Sequence, residues 1–165
     1  MKICYYTFIG VLVVSYAIIL LLAHKCNIDI PGIYDVKLRP YLFTGFLTIG
    51  GFLLTLKVFI VISLKEKLYE QEFYKKIYKE RRDMDDKISL YGSLINLGSL
   101  LIFCVGLAIS TSILQISLGL VKNIYCTGLC IAMAHATLTM VIFAWWQIKK
   151  SLDIWFDHLR NQNLD

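Results

Sequence analysis

Four apolar stretches, Tyr5–Ala23, Leu42–Leu64, Ile88–Val121 and Tyr125–Ile148, occupy most of this 165-residue chain, and none of them carries a charged face. A helix needs about 18 apolar residues to cross a hydrocarbon core of about 30 Å, and every stretch is at least that long. A helix packed in water keeps one polar side, because part of its circumference meets solvent. The fold class that follows is all-α: a polytopic four-helix transmembrane bundle, with spans at about 5–23, 42–64, 92–120 and 125–148.

Composition points the same way. Apolar residues make up 58% and charged residues 18%, against roughly 45–50% and about 25% in ordinary globular domains. The longest hydrophilic piece, 65–87, is too short to bury a core of its own. Residues 1–165 are therefore expected to form a single membrane domain. The first stretch reads as a retained anchor, since it is longer than a signal-peptide core and ends at Ala23-His24-Lys25-Cys26 instead of small residues.

Lysine and arginine concentrate on the cytoplasmic side of short loops. With the N-terminus inside, Lys2, the basic residues of 65–87, and Lys149, Lys150 and Arg160 place twelve of the 17 basic residues there. Lys25, Lys37, Arg39 and Lys122 fall outside, and Lys57 lies within a span. The expected location is the cell (inner) membrane, with several passes and both termini cytoplasmic. Tyr5, Tyr6, Tyr41 and the Trp145–Trp146 pair before Lys149–Lys150 sit where aromatic anchors belong.

Beyond Leu64 no glycine or proline interrupts the chain until well past Glu80, and apolar or aromatic residues recur at about four-residue steps through Leu68, Phe73 and Ile77. The pattern predicts a helical extension of the second span. The third run is too long for one crossing even when tilted, so its first turns are expected to stand beside that extension. Together they would make a cytoplasmic helical hairpin over 65–90. The tail, 149–165, is predicted to be an interfacial helix with Leu152, Trp155, Phe156 and Leu159 on one face.

No phosphate-binding glycine loop, zinc-binding pair, nucleophile elbow or Cys-x-x-Cys site is present. The chain is read as non-enzymatic, with no catalytic residue, cofactor or metal. The spans hold no Asp or Glu, which argues against the usual proton- and cation-coupled transporters. Two intramembrane ionisable residues remain. Lys57 can extend its amine to the headgroups or attract anions in an inner vestibule. His135 is read either as a neutral ring bonded to a neighbouring helix or as a proton sensor.

Small and polar residues recur along two helical stripes: Thr44, Thr48, Gly51 and Thr55 on the second span, and Asn96, Ser99, Gly106 and Ser110 on the third. Such stripes serve helix packing, because small residues let backbones approach and bond across. They can equally line a pore in a ring of subunits. Of the five cysteines, Cys26 and Cys126 lie near the outer face, where a disulfide is conceivable, and buried inert thiols are the default for the others.

Lys75, Lys76, Lys79, Arg81 and Arg82 form the basic cluster of the hairpin, interleaved with Phe73, Tyr74 and Tyr78. Nearby acidic residues offset the charge, so direct nucleic-acid binding is not expected. Anionic lipid headgroups or an acidic protein partner suit it better. The segment Gly51–Arg82, GFLLTLKVFIVISLKEKLYEQEFYKKIYKERR, resembles that of small four-span bacterial membrane proteins of phage-defence type. The layout is similar to the membrane subunit of Kiwa-type systems. That resemblance implies four spans with cytoplasmic termini, acting with a soluble DNA-associated partner. The functional expectation is a membrane subunit that forms homo-oligomers in the lipid bilayer and recruits or signals to a cytosolic protein, sensing membrane disturbance in antiviral defence. The alternative is a small homo-oligomeric ion channel lined by the Ser and Thr residues of spans two and three.

Overall fold

The computed structural model describes residues 2–26, 29–66 and 92–162. Within these it forms helices α1 (Lys2–Cys26), α2 (Ile30–Ile33), α3 (Arg39–Leu64), α4 (Gly92–Ile116) and α5 (Ile124–Gln162), and no strand. A π-helical turn, Tyr34–Leu38, joins α2 to α3, and a 3-10 turn, Leu118–Leu120, lies between α4 and α5. Four of these segments are long and apolar enough to cross a membrane: Cys4–Lys25, Ile30–Ser63, Leu94–Leu120 and Ile124–Asp153. The chain is an all-α, multi-pass membrane protein built as a four-helix bundle.

Helix is the only choice for such sequences, since every backbone N–H and C=O at membrane depth must be satisfied within the segment itself. The second crossing begins earlier than the expected residue 42. Asp29 caps α2, its Oδ1 accepting from the Gly32 N–H at 3.0 Å. Pro31 and Pro40 each occupy the first turn of a helix, where a missing N–H costs nothing. Residues 30–41 are consequently helical.

At the other end of the chain, α5 continues through Lys149–Lys150 to Gln162 without a break. Its 39 residues would extend about 58 Å at 1.5 Å per residue, well beyond a 30 Å core. The tail expected to be an interfacial helix is helical to Gln162 and continuous with the fourth span's own helix, because nothing at 149–153 breaks the α pattern. Residues 67–91, which include most of the expected cytoplasmic hairpin, lie outside the described residues.

The spans alternate in direction, as paired contacts show: Ser15–His135 and Leu20–Gly128 between α1 and α5, Gly50–Ala108 and Val61–Gly98 between α3 and α4, and Cys104–Met140 and Gln115–Cys130 between α4 and α5. Helix α3 packs most extensively against α4, α1 against α5, and α4 against α5. The start of α1 and the far part of α5 therefore belong to one end of the bundle, together with the end of α3 and the start of α4. The opposite, turn end carries the α4–α5 connection and the lead-in to α3. Helices α4 and α5 are the interior pair: about half of the α4 crossing is buried, whereas almost all of α1 is exposed.

Lipid tails are as apolar as leucine, so close packing and hydrogen bonds hold such helices together. The main core, nearer the termini end, joins Leu53 and Ile60 of α3 to Leu97, Leu101 and Cys104 of α4 and Met140 and Ala144 of α5. Phe8 of α1 meets Phe103 of α4 edge to face at 6.3 Å. A smaller cluster, Phe46, Ala108 and Ala134, lies toward the turn end.

Candidate functional site

The predicted stripes face away from the bundle interior. Thr44, Thr48, Gly51 and Thr55 are exposed, as are Asn96, Gly106 and Ser110, with Ser99 half-buried. The three threonine hydroxyls donate to carbonyls one turn back, to Pro40, Thr44 and Gly51, at 2.9, 2.9 and 3.1 Å. Open space surrounds the Cα of Gly51 and of Gly106. Within this chain α3 packs instead through Phe46, Gly50, Leu53 and Ile60, on the opposite side of the helix. A Cβ at Gly50 would touch the Ala108 Cβ at 3.5 Å, so this glycine marks a close approach of α3 to α4. Gly128 does the same for α5 against Tyr16, Ile19 and Leu20 of α1.

His135 touches α1. Its Nδ1 lies 3.3 Å from the Ser15 hydroxyl, and Ser15 is buried in the α1–α5 seam. The pair clasps two spans. A serine beside an imidazole also begins an acyl-transfer site, but no carboxylate orients this ring among the described residues. Lys57 is half-buried on the side of α3 that packs, with no hydrogen-bond or ion-pair partner among the described residues. The docking residues Phe73, Tyr74, Lys75, Lys76, Tyr78, Lys79, Arg81 and Arg82 lie outside the described residues.

The densest polar construction is one the sequence reading passed over. It fills the turn-end half of the α4–α5 seam. Gln115 is fully buried near the end of α4. Its Oε1 accepts from the Tyr34 hydroxyl, and its Nε2 donates to the Cys130 carbonyl at 3.2 Å. Tyr34, only 1% exposed, comes from the π-helical turn, so one amide ties the lead-in of the second crossing to both interior helices. A turn deeper, the Thr111 and Thr137 hydroxyls bond each other at 2.7 Å. Ser112 donates to the Phe43 carbonyl at 3.2 Å, which adds α3. Gly119 gives Tyr34 its room, because a Cβ there would stand 2.5 Å from the hydroxyl oxygen.

Charge caps this layer. Asp35 receives Arg39 at 2.8 Å, one turn along, and Lys122 from the α4–α5 connection at 3.8 Å. Lys122 is 80% exposed, so its contribution is small, whereas the Asp35–Arg39 pair is largely shielded. Each polar group named in this layer has found a protein partner, as an apolar medium demands. The arrangement locks helices to one another.

Cys104 and Cys130 are buried thiols that point at the Met140 and Leu114 carbonyls, both at 3.6 Å. Cys126 is a free thiol, not a disulfide partner. Among the described residues, no group of three His, Cys, Asp or Glu side chains is arranged to hold a metal.

A cleft of about 510 Å³ opens at the turn end between the last turns of α1, α2 and the start of α5. Leu20, Pro31 and Ile124 are among its apolar lining residues, and His24, Asp29 and Tyr125 are its lining residues with polar side chains.

One signal could have found the buried layer. Gln115 is one of two amide side chains in the third run, with Asn96, and an amide in hydrocarbon is costly unless paired. No protein-family model, curated protein or solved structure matches this chain.

Proposed function

We propose that this chain is a non-enzymatic subunit of the cell (inner) membrane that assembles with copies of itself and recruits or signals to a cytosolic protein. Both termini and the 67–91 connection face the cytoplasm in this reading. The distribution of lysine and arginine supports that orientation. The alternating packing of the spans is compatible with it, since it gathers the start of α1, the far part of α5 and the flanks of 67–91 at one end.

The observation that carries assembly is the outward direction of both small-residue stripes. Gly51 and Gly106 leave open space beside exposed helix backbone, the feature that lets a second transmembrane helix approach closely. Each threonine hydroxyl on α3 spends its proton on its own helix, so the stripe can meet lipid or another helix without an unpaired donor. The exposed sides of α1 add further area, since little of this crossing is buried within the chain. The resemblance to the Kiwa-type membrane subunit supplies the setting, a sensor of membrane disturbance in antiviral defence.

Cysteine cross-linking in native membranes tests the reading. Thr48→Cys and Ser110→Cys should trap covalent dimers, and Gly51→Leu with Gly106→Leu should abolish them while leaving the monomer folded. Charge reversal at Lys75, Lys76 and Lys79 should abolish co-purification of the cytosolic partner. Steady ion current from the purified chain in bilayers, altered by Asn96→Leu or Thr48→Leu, would replace this reading with a channel.

A further inference from the structure

The turn-end cleft has the composition of a site for a single phospholipid whose headgroup carries a primary ammonium, and we propose that it holds one. Its place in the fold sets the depth. The walls come from the last turn of the first span and the first turn of the fourth, so the cleft lies at headgroup level, with Leu20 and Ile124 continuing toward the hydrocarbon. A volume of about 510 Å³ lies within the range of small-ligand pockets, roughly 300–1,000 Å³.

The polar groups select the charge pattern. Asp29 uses Oδ1 to cap Gly32, and its other carboxylate oxygen has no hydrogen-bond or salt-bridge partner among the described residues. A carboxylate with a vacant oxygen accepts strongly from an ammonium, through a charge-assisted hydrogen bond. The Tyr125 ring, 61% exposed at the rim, adds a π face of the kind cations favour. His24 lines the same cleft without a polar partner among the described residues, and its ring N–H can donate to the phosphate of the same lipid. One negative side chain and one imidazole beside an apolar wall match a zwitterionic amine phospholipid. They match poorly an anionic headgroup such as phosphatidylglycerol, which Asp29 would repel. A quaternary choline headgroup offers the carboxylate no N–H to accept.

The occupant does not depend on the assembly proposed above, since the cleft lies within one chain. Native mass spectrometry of the full-length protein, released from vesicles of equal phosphatidylethanolamine, phosphatidylglycerol and phosphatidylcholine, tests it. The expected result is one phosphatidylethanolamine retained per chain in preference to the other two. Asp29→Asn keeps an oxygen for the Gly32 cap but removes the charge, and should lower that retention about tenfold, as loss of a hydrogen bond to a charged group does. Ala23→Phe, which places a ring into the cleft, should lower it as far. Circular dichroism that stays helical for both variants excludes unfolding as the cause. Equal retention of the three lipids by the parent chain, or undiminished phosphatidylethanolamine retention in either variant, overturns the proposal.

Discussion

Gln115 joins three parts of the fold through one side chain, so its removal should reveal coupling and not merely loss. Gln115→Met keeps the length and most of the volume but deletes both polar ends. The hydrogen bond to the Cys130 carbonyl disappears; interhelical bonds in membranes average about 0.6 kcal/mol and reach about 1.7 kcal/mol. The Tyr34 hydroxyl, on a side chain 1% exposed, is left without its acceptor, which costs about 1–3 kcal/mol for a buried group. Together these give about 2–5 kcal/mol for Gln115→Met. Tyr34→Phe removes the donor and strands only the amide oxygen, so about 1–2 kcal/mol is expected. Once Gln115 is gone, the Tyr34 hydroxyl has nothing to lose. Tyr34→Phe then removes the unpaired hydroxyl, so the double variant should be milder than Gln115→Met alone, with a coupling energy of at least about 2 kcal/mol. Reversible unfolding in mixed micelles, followed by far-ultraviolet circular dichroism across a denaturing-detergent titration, measures all four corners of the cycle. If the two single effects simply add, within about 0.5 kcal/mol, the two side chains act independently and the clasp is refuted.

The two adjacent glycines of α3 offer a second test. Gly50→Leu should force α3 from Ala108 and cost about 1–3 kcal/mol in the same titration, whereas Gly51→Leu should stay within about 0.5 kcal/mol. Thr111→Val and Thr137→Val should each cost on the order of 1 kcal/mol, and the double variant should recover part of that loss, because two methyl-bearing chains leave no orphaned hydroxyl. Gly119→Ala should destabilise by about 1–3 kcal/mol through the Tyr34 hydroxyl, and combining it with Tyr34→Phe should relieve part of the cost. Lys122→Ala, by contrast, should change stability by less than about 0.5 kcal/mol, since its ammonium is open to water.

How much of this was legible beforehand differs by level. Hydropathy and length alone determined that four helices cross, since hydrocarbon accepts no irregular backbone and the 18-residue minimum is a property of the bilayer. The α4–α5 turn followed equally well, because Lys122 and Asn123 interrupt the last two runs. The start of the second crossing did not, because a capping aspartate and a first-turn proline made helix of residues that read as loop. The helical stripes were real in their spacing, but periodicity gives a direction only relative to the helix itself. It could not say that Gly50 and not Gly51 meets the neighbour, as the two point a third of a turn or so apart and both are glycine.

The buried polar layer was the least legible feature. Tyr34 and Gln115 are 81 residues apart, and Thr111 and Thr137 are 26 apart. Nothing local to either member of a pair names the other. The linear chain thus decided which residues had to leave water and in what form, because that choice is made segment by segment. Which polar groups then found one another was decided only when four helices had taken their rotations and depths, because a hydrogen bond needs both partners within about 3 Å.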